Sequence, residues 1–189
     1  YSTGGLSFFI LLVMSMTGLA YNLRIIPAVF TEKKRGRIKD IPGSKTLLIT
    51  LAWGVVTSLL PAVSKNGGAV MIWIPFVFST GLVFSRTAFF DILAVQGDRI
   101  TGKETLPVLL GERTSFKIIK YVLIVDIGII FMSGAAGLMA QRTFLPAIAP
   151  ALMLILIRFF VKDNLVSGVH REFIIELSIV AAGVTAAII

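Results

Sequence analysis

Two aspartates, Asp91 and Asp98, stand near the end of an apolar segment, with Arg99 and Lys103 close behind them. If one helix continues through both acids, their seven-residue spacing places the carboxylates on one face, about 10 Å apart along the axis. Carboxylates with no cysteine or histidine nearby are hard oxygen ligands, which Mg²⁺ accepts while it takes other ligands from water and substrate phosphates. The pattern predicts a Mg²⁺ site, with Gly97 as the point where the helix opens and turns Asp98 toward Asp91.

Basic residues near these acids suit a phosphate ligand. They are Arg99, Lys103, Lys39 and Lys45, and they supply counter-charges for a diphosphate at the same face. Because the neighbouring segments are apolar, the residues indicate a metal and phosphate pocket at the mouth of a helical bundle, with a lipid diphosphate as its ligand. The alternative is that these acids and bases form an ordinary solvated membrane edge.

The composition is that of a membrane protein. The 189 residues are 56% hydrophobic and 15% charged, and the mean hydropathy is +0.92, which does not suit a soluble globule. The net charge of +8 comes from basic residues that fall between apolar runs, so we interpret it as membrane orientation and exclude nucleic-acid binding. The absence of cysteine and the single His170 exclude disulfides, thiolate metal sites and histidine clusters.

The hydropathy pattern predicts an all-α, multi-pass transmembrane bundle with six spans in a single domain, 1–189. A helix of roughly 20 residues crosses a bilayer, and backbone groups in lipid must bond within their own segment. The predicted spans are about 4–22, 46–64, 69–92, 116–139, 143–161 and 172–189. Two long polar connections, about 23–45 and 93–115, are predicted to cap the bundle on one side.

Lysine and arginine support this division. Counted together with the adjoining ends of the spans, the five connections hold seven, one, five, one and three of them, and Arg86 lies inside the third span. This alternation is typical of spans with one cytoplasmic face. We therefore predict that both capping connections and the mouth of the pocket are cytoplasmic.

Charged residues inside spans need partners, because an unpaired charge in the bilayer costs several kcal/mol. Arg86 and Asp126 lie within spans, and we expect Asp126 to pair with another helix, with Arg86 as the candidate partner. Glu176 is expected near the membrane interface. Glycines within the spans, including Gly54 and Gly81, are expected to allow close helix packing.

The segment GDRITGKETLPVLLG, Gly97 to Gly111, preceded by Asp91, resembles the second aspartate-rich motif of the UbiA-type superfamily of intramembrane prenyltransferases. A second segment, RIKDIPGSKTLLITLAWG from Arg37 to Gly54, is similar to the basic loop of that family and places Lys39 and Lys45 on its two lysine positions. The resemblance covers nearly the whole chain, with the six spans in the place of helices four to nine of nine.

The resemblance implies a transferase of alkyl or aryl groups other than methyl. Such enzymes bind a polyprenyl diphosphate through Mg²⁺, ionise its allylic carbon–oxygen bond, and let a small acceptor, often an aromatic ring, attack the carbocation in quinone or lipid biosynthesis. Transferred residue by residue, the metal ligands are Asp91 and Asp98. The diphosphate contacts are Arg99, Lys103, Lys39 and Lys45, and the weaker substrate candidates are Tyr21 and Gln96.

Two features depart from the family pattern. Ala94 stands where a further aspartate is common, and the first aspartate-rich motif is absent from these residues. Together with a first residue that is Tyr1, this leads us to expect a fragment that lacks about three N-terminal helices and is inactive by itself.

Several alternatives stay open. The acceptor could be a hydroxybenzoate or naphthoate ring, a tetrapyrrole or a glycerol phosphate ether, and the prenyl chain length is not fixed by the sequence. Outside the enzyme class, the alternative is a non-catalytic transport or scaffold protein that uses Arg86 and Asp126 as an intramembrane pair.

Overall fold

The computed structural model describes residues 2–23, 26–27, 35–36, 38, 41, 43–64, 68–138, 144–162 and 168–188. Most of these residues are helical. In chain order the α-helices are α1 Ser2–Ala20, α2 Ser44–Gly54, α3 Leu60–Ser64, α4 Ala69–Leu93, α5 Val95–Ile100, α6 Leu106–Leu110, α7 Glu112–Ala135, α8 Ile148–Lys162 and α9 Gly168–Ile188. A π-helical turn, Val55–Leu59, joins α2 to α3, and a 3₁₀ turn, Leu145–Ala147, precedes α8. Two short strands, β1 Ile26–Pro27 and β2 Arg35–Gly36, pair antiparallel.

The predicted all-α fold is confirmed, and a helix stands at each of the six apolar runs, with ends within about one turn of the predicted bounds. Three helical segments are long and apolar enough to cross a membrane, namely Ser44–Val63, Ile72–Leu93 and Glu112–Ala135. The apolar segments Gly4–Ala20 and Leu145–Val161 are shorter. These helices are compatible with membrane residence.

The π-helical turn lies just before Pro61. Proline has no N–H to donate, so the carbonyl one turn before it loses its usual partner. In the turn before Pro61 the backbone hydrogen bonds span five residues instead of four, and the Leu60 N–H donates to the Val55 carbonyl. The second apolar run therefore continues as one helical segment.

The buried core lies between α4, α7, α8 and α9. Its most enclosed side chains are Phe89, Ile119, Leu123, Met153 and Ile175. Because the core is formed by helices from both halves of the chain, it fixes α4, which carries Asp91, relative to the rest of the bundle.

Two glycines allow close contacts of α4, as predicted. A side chain at Gly54 would collide with Phe76 and Thr80, and one at Gly81 would collide with the Asp126 carboxylate on α7. The missing side chains therefore let α2 and α7 approach α4 from two sides.

The expected pairing of Arg86 with Asp126 is wrong. Arg86 on α4 instead donates hydrogen bonds to Glu176 Oε1 on α9, through Nε at 2.9 Å and through Nη2. At 100° per residue, Arg86 is about 140° around α4 from Gly81, which faces Asp126, so it points to a different neighbour. Both carboxylate oxygens of Asp126 are buried without a hydrogen-bond partner in the described part of the chain.

Candidate functional site

Asp91 lies in the last turn of α4 and is only 6% exposed. The hydroxyl of Thr46, in the first turn of α2, donates a 2.7 Å hydrogen bond to Asp91 Oδ2. Among the described residues no group donates to Oδ1. The contact fixes the orientation of the carboxylate and leaves one oxygen for a ligand.

Asp98 lies on α5, which follows α4 after a one-residue break at Ala94. The predicted opening of the helix at Gly97 is therefore wrong, since Gly97 is inside α5. Ala94 has φ −88° and ψ 0°, a conformation that does not require glycine. Asp98 is 7% exposed, so both acids are buried.

The chain turns back on Asp98 at Gly102, which has φ +68°. The Lys103 N–H donates to the Asp98 carbonyl at 2.9 Å and the Gly102 N–H to the Arg99 carbonyl at 3.4 Å, the pattern of a Schellman helix end. Lys103 Nζ lies 3.4 Å from Asp98 Oδ1. The glycine turn thus places a cation beside the second aspartate.

Both aspartates line one cavity of about 470 Å³. Its wall is made by the first turn of α2, the end of α4, α5 and the segment after Gly102. The Gly43 N–H donates to the Glu104 carbonyl at 3.2 Å, which holds the two sides of the cavity together. The positive end of the α2 dipole lies at this wall, where it favours an anion.

The structure brings together some of the other predicted site residues. Tyr21, Lys45 and Lys103 line the cavity with Asp91 and Asp98. Arg99 and Gln96 are exposed on α5 and are not among the described lining residues. Lys39 lies outside the described residues. The predicted ligand roles of these residues stay predictions.

Four further polar lining residues were missed by the sequence reasoning: Ser44, Thr46, Glu104 and Thr105. The hydroxyl oxygen of Thr105 is buried and has no hydrogen-bond partner among the described residues. A signal for Thr46 existed, because it is a polar residue beside Lys45 at the start of an apolar helix. Glu104 lay inside the quoted motif but was not assigned a role.

The charges of the lining explain which ligands fit. The described lining residues include three acids, Asp91, Asp98 and Glu104, and two lysines, Lys45 and Lys103, so together they carry one net negative charge. These acids repel a bare diphosphate, and a divalent cation brought with it reduces the repulsion. No three His, Cys, Asp or Glu side chains gather for a metal within the part of the chain that the structure describes. Two carboxylates nevertheless suffice for Mg²⁺ that takes its other ligands from phosphate and water.

An apolar cleft of about 490 Å³ between α1 and α2 adjoins this cavity. Tyr21 and Lys45 line both spaces. The other walls of the cleft include Val13, Met14 and Leu48. The two spaces together suit a ligand with an anionic head and an apolar tail.

No protein-family model, curated protein or solved structure matches the chain. The resemblance to the prenyltransferases therefore rests on the motif residues.

Proposed function

We propose that this protein takes part in Mg²⁺-dependent transfer of a prenyl group from a polyprenyl diphosphate to a small acceptor within the membrane. The observation that carries the proposal is the shared wall of the two spaces. A cavity with two buried aspartates and two lysines shares Tyr21 and Lys45 with an adjoining apolar cleft. A prenyl diphosphate has the same division into a charged head and an apolar chain.

In this proposal each residue has a defined task. Asp91 and Asp98 hold Mg²⁺, which neutralises charge on the departing diphosphate. Thr46 keeps the Asp91 carboxylate in one orientation through its 2.7 Å hydrogen bond. Lys45 and Lys103 contact the diphosphate oxygens and stabilise the charge that develops as the allylic carbon–oxygen bond breaks.

In this proposal the apolar cleft holds the allylic chain away from water. A carbocation is quenched by water, so its allylic chain must lie against a dry wall. The cleft between α1 and α2 supplies Leu48, Ile49 and Ala52 for this purpose.

The proposal includes the finer membrane arrangement. All six apolar helices would span the bilayer, with the basic connections and the mouth of the cavity on the cytoplasmic side, since lysine and arginine concentrate there. Arg99, Lys39 and Gln96 are proposed as further contacts to the substrate from the same side.

The alternative, a transport or scaffold protein, rested on an ion pair between Arg86 and Asp126. Arg86 instead pairs with Glu176, which removes the contact that motivated it. Asp126 still lies within a span without a partner among the described residues. Replacing it therefore discriminates between a prenyltransferase and a transport or scaffold protein.

The test is prenyl transfer by membranes that contain the full-length protein. Labelled farnesyl diphosphate is supplied with Mg²⁺ or with a chelator, together with a panel of acceptors, and product and released diphosphate are measured. We expect turnover that requires Mg²⁺ and that survives Asp126→Asn, because Asp126 does not line the cavity. The alternative predicts no turnover, and transport or binding that survives Asp98→Asn but fails in Asp126→Asn.

A further inference from the structure

A groove of about 170 Å³ between α7 and α8 has apolar walls and two cations at its rim. Lys120 on α7 and Arg158 on α8 both line it, beside Ile119, Leu123 and Ile157. These three apolar side chains are buried, whereas both cations are exposed. The groove is separate from the cavity of Asp91 and Asp98, with which it shares no described lining residue.

Neither cation has an acidic partner among the described residues. Arg158 stands within the apolar sequence LMLILIRFFV of α8, and Lys120 lies two turns into α7. A cation at such a position needs a counter-charge or a path to the membrane interface. Within the described part of the chain, this groove has cations and no neighbouring anion.

The helix directions place both cations at one end of the bundle. Lys120 is eight residues after the start of α7 and Arg158 is four before the end of α8. These offsets correspond to depths of about 12 Å and about 6 Å along the two helices. Long basic side chains at these depths reach toward the headgroup level while their stems cover apolar surface.

We propose that this groove binds an anionic phospholipid. The phosphate lies between the Lys120 ammonium and the Arg158 guanidinium, which is the donor that matches phosphate oxygens in geometry. One acyl chain lies along Phe116, Leu154 and Val161, the apolar lining side chains that are not buried. Charge complementarity selects an anionic over a zwitterionic headgroup, and the apolar walls select a lipid over free phosphate. The proposal does not depend on the reaction proposed for the aspartate cavity.

The test is native mass spectrometry of the protein in neutral detergent, titrated with phosphatidylglycerol, with phosphatidylcholine of the same chains, and with glycerol phosphate. We expect phosphatidylglycerol to bind most tightly. Lys120→Gln/Arg158→Gln should weaken that binding by about 25-fold, at about fivefold per cation. The matched control is Arg113→Gln/Lys117→Gln, which removes two cations of the same helix end that do not line the groove.

The outcomes are distinct. The site would be overturned if Lys120→Gln/Arg158→Gln bound phosphatidylglycerol as tightly as the original protein, or if the control lost binding equally. Either result would mean that the headgroup is attracted by the general positive charge of this end of the bundle and not by the groove. Glycerol phosphate binding as tight as phosphatidylglycerol would overturn the lipid assignment. Should the glutamine variant fail to fold, the charge-conserving Lys120→Arg/Arg158→Lys variant must retain preference for phosphatidylglycerol over phosphatidylcholine, and its loss would contradict the proposal.

Discussion

The Thr46 hydroxyl donates a 2.7 Å hydrogen bond to Asp91 Oδ2, and this contact joins the first turn of α2 to the last turn of α4. Both side chains are buried, at 1% and 6% exposure. A carboxylate at the end of an apolar helix is thereby held in one orientation at the wall of a cavity.

Thr46→Val removes this hydrogen bond and keeps the shape of the side chain. Groups that orient a metal ligand typically change metal affinity or activity by about 10-fold to 100-fold, so we expect Mg²⁺-dependent turnover of the full-length protein to fall by about 10-fold. Thr50→Val is the matched control, because the Thr50 hydroxyl bonds only the Thr46 carbonyl. Equal turnover of the two variants would speak against a role for the contact.

Gly102→Ala tests the turn that places Lys103 beside Asp98. Alanine is strained by about 1–2 kcal/mol in the left-handed conformation that Gly102 adopts. We expect a raised KM for the prenyl diphosphate, measured by initial rates in membranes, as Lys103 moves from Asp98. Gly97→Ala, in open space on α5, should leave KM unchanged; a larger effect there would contradict the assignment of the turn to Gly102.

Glu176→Gln tests the pair that joins α4 to α9. The loss of a charge-assisted hydrogen bond costs about 1.5–3 kcal/mol, and less where the side chains are partly exposed. The two side chains are 31% and 40% exposed, so we expect a modest fall in Tm, measured in detergent by circular dichroism. Glu172→Gln, one turn earlier and exposed, should leave Tm unchanged. No difference between the two variants would argue against the pair.

Gly81→Ala tests the packing of α4 on α7. The added methyl group collides with the Asp126 carboxylate, and overpacking of this kind costs about 1–3 kcal/mol. We expect a lower Tm for Gly81→Ala and partial recovery in Gly81→Ala/Asp126→Ala. Gly128→Ala on α7 meets no neighbour and should be neutral. A Gly81→Ala protein as stable as the original would contradict the close approach.

The sequence predicts the helices well because their signal is local. Apolar runs of sufficient length, separated by polar connections, locate a helix at each of the six runs. The connection around 93–115 was predicted only as a polar cap, and it contains α5 and α6. These helices are short and carry no long apolar run, so the hydropathy pattern does not locate them.

The contacts of the site depend on positions far apart in the sequence. Thr46 and Asp91 are 45 residues apart, and the hydrophobic pattern within either helix does not predict that they are in contact. The same holds for Arg86, whose charge was recognised but whose partner depends on which face of α4 meets α9. By contrast, Asp91 and Asp98 were found from residue type and motif order, although the break between them lies at Ala94.

The central claim is that Asp91 and Asp98 bind Mg²⁺ together with a diphosphate. Isothermal titration of inorganic diphosphate into the full-length protein in detergent, with Mg²⁺ or with a chelator, tests it most directly. We predict binding that requires Mg²⁺, that weakens at least about 10-fold in Asp91→Asn and in Asp98→Asn, and that is unchanged in Asp126→Asn. Diphosphate binding of equal affinity without Mg²⁺, or in Asp98→Asn, would contradict the claim.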